Sequence, residues 1–476
     1  MYRRTSPVEI PGNLAERYER IILVSQVGHL DRFDAHAPNQ LIVSSDWLTW
    51  RLCQRRGLPT LHLDALASPW PVVLGDPATV HQRNTEWMYV DGEDVTRFRG
   101  ISLGKQFTRS VTLFSLHSAR TWHALDRLYG TYKPRQIILF GIYAKHRILD
   151  TAAIRHLAGA LGAIHKIELD DRMDDLPAND PRMPERIDGI AELEAESAVR
   201  AFLRFIYSWS VDTLFVIKSW FRQPPEPILL MLNGNTTASL LAAHERSGPN
   251  TEGHDLKGLS PTLIADHSPK TLRFIWSCLR HGCILAGLPR LRLSRADYDE
   301  LNYIVARLKE TWRDPASALE KARHEFIRIR LIESGWFMRQ AVEIKRYQHL
   351  FWRHRIARLI IGDSTSAIGR LVAEVAVQAG AAVDEFLNGM FLTCQRYDSR
   401  SGDSVIPPVI GRILSRGTHD ERWAAAVNAP QPCMRVGFPL PRNPSGKSSA
   451  PNLRGNALVL PIYADGDDAL ALNSNI

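Results

Sequence analysis

The sequence lacks the residue patterns of several common enzyme classes. It has no Gly-x-Ser-x-Gly, no His-Glu-x-x-His, no Gly-x-Gly-x-x-Gly after an apolar strand, and no paired Cys and His ligand set. Hydrolase, metalloprotease and dehydrogenase functions therefore have no support. The triplet Gly446-Lys447-Ser448 is not a phosphate loop, because Pro441 occupies the position that must be the first glycine.

Cysteine is also scarce. The chain has five cysteines, an odd number, at spacings that match neither a disulfide framework nor a zinc site. The first residues have basic character but no apolar stretch of the kind found in secretory signals. We therefore expect reduced cysteines in a cytoplasmic protein.

The one segment that approaches a membrane span is interrupted by charge. Residues 201–221 have about the required length, but Arg204, Asp212 and Lys218 would each be costly in hydrocarbon. We predict a buried or interfacial helix, whose tryptophans suit a peripheral contact at the inner face of the membrane. The net charge of +8 fits an anionic membrane surface, nucleotide phosphates or nucleic acid equally well.

Residues 356–389 carry the most informative pattern that is present. The spacing of apolar residues predicts a strand, a helix and a second strand, at 358–361, 367–379 and 382–386. The polar loop between the first strand and the helix offers helix-capping oxygens. Ligands of parallel sheets bind beyond the carboxyl ends of the strands, so the loops at 363–366 and 388–389 should open onto one cleft.

The rest of the chain also alternates strands and helices. In the first half, strands are predicted at 21–25, 40–44, 60–63, 136–140 and 164–169, with helices at 47–56 and 151–161. With 476 residues the chain favours two or three domains. The predicted fold class is α/β, with two Rossmann-like domains and a helical section between them. The predicted parts are an N-terminal domain at 1–170, a mainly helical section at 171–350 whose strands can complete the first sheet, and a C-terminal domain at 351–476.

The C-terminal part has a recognisable order of motifs. Gly362-Asp363-Ser364 precedes a helix, the next strand enters Leu387-Asn388-Gly389, and Val436-Gly437-Phe438-Pro439 precedes an apolar strand at 457–463. This order resembles the nucleotide-sugar domain of GT-B type glycosyltransferases, especially those of bacterial surface polysaccharides and their CDP-glycerol-dependent relatives. In that family the strand commonly enters Gln-His-Gly, of which this chain keeps the glycine. About four strands follow Ala357, so the resemblance implies a shortened domain.

The resemblance implies where a nucleotide-activated donor binds, namely at Asp363, Ser364, Thr365, Asn388, Gly389 and Gly437. Residues 363–365 could also bind a diphosphate at a helix start through backbone amides, although ordinary N-capping explains the same residues. Arg370 and Arg396 are candidate counter-charges for phosphate. No cofactor is expected, and no metal need be bound, because a helix dipole or positive charge can stabilise the departing diphosphate.

Two residues of the first half are candidate catalytic bases. His29 and Asp46 follow predicted strands, and either could accept the proton of an acceptor hydroxyl. Capping or surface polarity is the simpler explanation of each residue.

The predicted function is transfer of a sugar or polyol-phosphate from a nucleotide-sugar or CDP-polyol donor to a polysaccharide or lipid-linked acceptor. One alternative is a non-catalytic GT-B-like binding or scaffold protein of polysaccharide assembly. A second alternative is a basic nucleic-acid binder, for which only the predicted basic helix at 345–358 approaches the required pattern. We therefore expect no nucleic-acid partner.

Overall fold

The computed structural model describes residues 18–67, 84–142, 151–173, 206, 209–210, 213, 227–231, 263–264, 284–285, 291–312, 315, 317–364, 366–386, 406–415, 417–426 and 429–436. The chain begins with β1 (Arg20–Val24), β2 (Gln40–Ser44), α1 (Trp47–Arg55) and β3 (Thr60–His62). Two short antiparallel hairpins follow, β4 (Tyr89–Val90) with β5 (Glu93–Asp94) and β6 (Arg97–Phe98) with β7 (Ile101–Ser102). The first half ends with α2 (Leu103–Tyr132), β8 (Gln136–Leu139), α3 (Thr151–His165) and β9 (Glu168–Asp171).

The second half contains a group of helices between strands. Its first strands are β10 (Ile228–Met231), β11 (Leu263–Ile264) and β12 (Ile284–Leu285). The helical group consists of α4 (Arg295–Thr311), α5 (Ala318–Ile327), a π-helical turn (Arg328–Glu333) and α6 (Trp336–His354). The last elements are β13 (Arg358–Ile361), α7 (Ala367–Gln378), β14 (Ala382–Phe386), β15 (Arg412–Ser415), α8 (Thr418–Ala426) and β16 (Cys433–Arg435).

Apart from the two hairpins, the described strands form two sheets in which every pair is parallel. The strand order of the first sheet is β3-β2-β1-β8-β9, and that of the second is β12-β11-β10-β13-β14-β15-β16. The fold is therefore α/β, with two parallel sheets flanked by helices, and it is compatible with two Rossmann-like domains. The strand order reverses between β1 and β8 and again between β10 and β13, which are the points where such sheets bind ligands.

The strands of the middle section belong to the second sheet. Strand β10 pairs with β13, where Leu229 lies beside Leu359, and β11 and β12 continue outward from β10. The prediction that these strands can complete the first sheet is therefore wrong. The long helical group that follows β12 brings the chain back beside β10, a non-local pairing that periodicity does not reveal. The second sheet is consequently larger than the four strands predicted after Ala357.

Several element boundaries differ from the predicted ones. Helix α3 continues to His165, and Lys166 has a positive φ of 58°, so strand β9 starts only at Glu168 rather than at residue 164. The basic helix predicted at 345–358 ends at His354. Helix α2 was not predicted at all, although it is 30 residues long.

One hydrophobic core connects the two halves. It includes Ile21 of the first sheet and Leu359 of the second, and α2 packs against α3, α5, α6 and α7 within it. The Phe114 ring stacks on that of Phe326 with centroids 4.2 Å apart. Polar contacts add to this packing, because buried Asp297 accepts hydrogen bonds from Arg99 and Lys345 at 2.9 and 2.6 Å.

Candidate functional site

The loop after β13 depends on a close approach between its backbone and helix α7. The Gly362 amide donates to the Met231 carbonyl at 3.0 Å, which ties the loop to β10 at the switch point. Helix α7 begins after Ser366, whose hydroxyl accepts a hydrogen bond from the Gly369 amide at 3.2 Å. A Cβ atom at Gly369 would lie 1.9 Å from the Asp363 carbonyl oxygen, so this turn requires glycine.

The N-cap of α7 differs from the one predicted. The sequence offered the oxygens of residues 362–365 for capping, but Ser366 is the cap. The Asp363 carboxylate supports it by accepting a hydrogen bond from the Ser366 amide at 3.2 Å. Thr365 lies outside the described residues. Ser364 is fully buried and turns away from the helix start, toward strand β14.

The partner of Ser364 is a buried carboxylate that the sequence analysis did not single out. Glu385 of β14 is fully buried, and it accepts hydrogen bonds from the Ser364 amide at 3.0 Å and from the Ser364 hydroxyl at 2.7 Å. A signal was present in the sequence, because Asp384 and Glu385 are adjacent carboxylates within a predicted strand of an α/β sheet. Charges are rarely buried without partners, so such a pair indicates a specific role.

The environment of Glu385 shifts its acid–base equilibrium. Burial raises the pKa of Glu385 to about 7, although the hydrogen bonds from Ser364 act in the opposite direction. Among nearby charges, Asp363 raises this pKa further and Arg370 lowers it. The carboxyl group therefore changes charge near neutral pH, within the range that suits an acid or a base in catalysis.

The adjacent Asp384 has a different environment, because successive side chains of a strand point to opposite faces of the sheet. Its carboxylate accepts two hydrogen bonds from Arg412, at 3.1 and 2.6 Å, and one from Arg358 at 3.4 Å. These arginines neutralise Asp384. Glu385, by contrast, has a neutral serine as its hydrogen-bond partner.

Of the other residues predicted to bind the donor or balance its charge, Arg370 makes a contact within the protein, and the rest lie outside the described residues. Arg370 donates a hydrogen bond to the Lys105 carbonyl of α2 at 3.0 Å, so it helps to fasten α7 to the first half. The remaining predicted donor residues and counter-charge lie outside the described residues: Asn388, Gly389, Gly437 and Arg396.

His29 lies at the switch point of the first sheet. It follows β1, and its ring packs 5.7 Å from that of Phe140, which follows β8. His29 is 4% exposed. Its Nδ1 accepts a hydrogen bond from the backbone amide of Ser25 at 3.3 Å, and its Nε2 lies 2.8 Å from the side-chain Nε2 of Gln26. The structure therefore places His29 at the carboxyl edge of the first sheet, while its role as a base stays a prediction.

Asp46 caps helix α1. Its carboxylate accepts hydrogen bonds from the amide and the hydroxyl of Thr49, at 2.8 and 2.7 Å. The next residue, Trp47, is 53% exposed and stacks on His62 with ring centroids 3.8 Å apart. Burial lowers the pKa of His62 despite the nearby charges of Asp64 and Asp46, so its imidazole is neutral near pH 7.

Two further expectations concern metals and membranes. In the ranges that the structure describes, no group of three or more His, Cys, Asp or Glu side chains is arranged to hold a metal ion. The acidic residues that end β9 are paired with arginines, since Asp170 bonds Arg172 and Asp171 bonds Arg155.

None of the described helices combines the length and apolar character needed to cross a lipid bilayer.

Comparison with known proteins identifies no relative. The chain matches no family model, no curated protein and no solved structure. The geometry of the two sheet edges is therefore the basis on which a function can be proposed.

Proposed function

We propose that this protein transfers a sugar or polyol-phosphate from a nucleotide-activated donor to a surface-polysaccharide precursor, and that its two sheets form a GT-B-like pair. The observation that carries this proposal is the switch point of the second sheet. There the loop Gly362–Ser366 follows β13, is tied to β10, and packs so tightly on α7 that Gly369 cannot carry a side chain. Nucleotides bind at such points in parallel α/β sheets.

The donor phosphates would lie at the start of α7. Backbone amides at a helix N-terminus and the helix dipole favour negative charge. The close contact of the Asp363 carbonyl with Gly369 fixes the direction in which this helix begins relative to the sheet. A leaving diphosphate could be stabilised there during the reaction.

The acceptor would lie at the carboxyl edge of the first sheet. His29 and Asp46 follow β1 and β2 at this edge, and either could take the proton of an attacking hydroxyl. The exposed Trp47 indole beside Asp46 offers a flat apolar surface to the acceptor. Each sheet would thus provide one half of a two-substrate site.

One observation favours the alternative of a non-catalytic binding or scaffold protein. The amide and hydroxyl of Ser364 are already occupied by Glu385, and the Asp363 carboxylate is occupied by the Ser366 amide. The side chains predicted to hold a diphosphate therefore stabilise the loop itself. A direct binding measurement separates the two functions.

The test is a thermal-shift and calorimetric panel of UDP-, CDP- and GDP-linked donors. Binding to the native state raises the melting temperature by mass action. We expect one donor class to bind the wild type, Gly369→Ala to weaken that binding at least about tenfold, and Gly159→Ala of α3 to leave it unchanged. Gly159 is a suitable control because an added Cβ there would meet its nearest atom at an ordinary 3.9 Å. If the wild type binds no donor of any class, the transferase proposal fails.

We also propose a peripheral contact with the inner face of the membrane. A groove of about 560 Å³ lies between the C-terminal ends of α6 and α7. Trp352 at its rim is 78% exposed, and Arg355 lines the same groove. Exposed tryptophan beside arginine suits the interface of an anionic bilayer. The predicted interfacial segment 201–221 lies mostly outside the described residues, although its Trp209 is 63% exposed.

A further inference from the structure

A buried carboxyl group connects the proposed donor loop to the neighbouring strand. Glu385 lies one residue before the end of β14, and both of its oxygens are engaged by Ser364 of the loop after β13. Glu385 lies beside Ile361 of the adjacent parallel strand β13, and both Ser364 and Glu385 are fully buried. Any change at Glu385 is therefore transmitted directly to the backbone of the loop.

The charges around Glu385 do not neutralise it fully. Within the described residues, the charged groups that act on it are Asp363 of the loop and Arg370 of α7. Arg370 also donates a hydrogen bond to the Lys105 carbonyl at 3.0 Å. On the opposite face of β14, Asp384 has its own two arginines. A charged Glu385 is thus held mainly by the neutral donors of Ser364.

We propose that Glu385 is a positioning residue for the donor site, and that binding of a nucleotide diphosphate at the loop is coupled to uptake of one proton by Glu385. This inference rests on the proposed function, because it concerns the same loop. A diphosphate at the start of α7 would bring negative charge close to a buried carboxylate. Like charges at short range in a poorly solvated site favour protonation of the acid.

The hydrogen bonds of Ser364 show how protonation would act. When Glu385 is ionised, the single hydroxyl proton of Ser364 is donated to the carboxylate. When Glu385 takes a proton from solvent, its own O–H can donate to the Ser364 hydroxyl oxygen, while the Ser364 amide still donates to the other carboxyl oxygen. The hydroxyl proton of Ser364 then becomes available to another acceptor, and the negative charge beside the loop is removed.

The first experiment measures donor affinity against pH. UDP-glucose and CDP-glycerol are suitable probes because their diphosphate diesters do not titrate near neutral pH. We expect the better probe to bind about tenfold more tightly at about pH 6 than at about pH 8, because the protonated form predominates only at the lower pH. Calorimetry in two buffers of different ionisation enthalpy should show proton uptake near pH 7. Glu385→Gln, which keeps the shape without the charge, should abolish both effects.

A matched control uses a second, partly buried carboxylate of the same region. Glu374 of α7 accepts a hydrogen bond from the Ser102 amide at 3.2 Å and does not contact the loop residue Ser364. Glu374→Gln should therefore retain the tenfold pH effect. If wild-type affinity does not change with pH, or if Glu385→Gln retains the change, the proposed coupling is wrong.

A measurement without ligand separates this inference from the proposed function. Hydrogen exchange of the peptide containing Ser364, corrected for intrinsic rates, should differ between about pH 6 and about pH 8 in the wild type. If it differs but no donor binds, the transferase proposal and the coupling to donor binding both fail, while the control of the loop by protonation of Glu385 stands. If it does not differ, the positioning role is overturned, whatever the donor panel shows. The wild-type measurements decide the matter even if Glu385→Gln does not fold.

Discussion

Replacing Gly369 with alanine tests the geometry of the candidate site most sharply. The added Cβ would lie 1.9 Å from the Asp363 carbonyl oxygen, whereas ordinary contacts of this kind exceed 3.4 Å. The obstructing atom belongs to the backbone and cannot rotate away. The loop and helix α7 must therefore separate by more than 1 Å to raise the distance from 1.9 Å to 3.4 Å. Overpacking of this kind costs about 3 kcal/mol.

Part of that cost is offset by helix propensity. Alanine is favoured over glycine inside a helix by about 1 kcal/mol, so the net destabilisation should be about 2 kcal/mol. Gly159→Ala in α3 gains the same propensity without a clash, since its nearest atom is 3.9 Å away. It should therefore stabilise the protein by up to about 1 kcal/mol.

The assay is denaturant unfolding of the two variants and the wild type, followed by circular dichroism. The two substitutions should shift the unfolding midpoint in opposite directions. Equal effects of the two substitutions, or a Gly369→Ala variant as stable as the wild type, would refute the packing of the Asp363 carbonyl against α7.

The remaining predictions concern charge, capping and membrane contact. Because burial raises the pKa of Glu385 from 4.5 to about 7, its contribution to stability is greatest below about pH 4.5 and is lost as pH rises to about 7. The difference in unfolding free energy between wild type and Glu385→Gln should change by about 3 kcal/mol over this window and stay constant above it. Asp46→Ala should lower the unfolding free energy by about 1 kcal/mol through loss of the α1 cap, whereas Asp46→Asn should restore most of it. Trp352→Ala should weaken binding to anionic vesicles in a sedimentation assay, and equal binding by the variant would exclude this groove as the membrane contact.

Much of the sheet framework can be predicted from the sequence because it is encoded locally. Strand β14 was predicted with its observed bounds, and α7 differs from the prediction by one residue. Both elements have strong apolar periodicity, and Gly380 follows the helix with a φ of 81°, a conformation that glycine favours at helix ends. The alternation of strands and helices was also sufficient to predict parallel sheets.

Two of the features that were missed depend on non-local contacts. The assignment of β10 to the second sheet depends on its pairing with β13, more than a hundred residues later in the sequence. The cap of α7 depends on which of several adjacent polar side chains points toward the helix start. Ser364 points instead toward Glu385 of the next strand, to which its hydroxyl donates a hydrogen bond. Periodicity identifies elements, but it does not identify the partners of buried polar groups.

The most direct test of the donor site is a hydrogen-exchange footprint of the wild-type protein with and without a saturating UDP- or CDP-linked donor. Bound ligand slows exchange where it contacts or stabilises the backbone. We predict protection of the peptide covering β13, the loop Gly362–Ser366 and the start of α7. Absence of any protection, or protection confined to the first sheet, would contradict the assignment of donor binding to the second sheet.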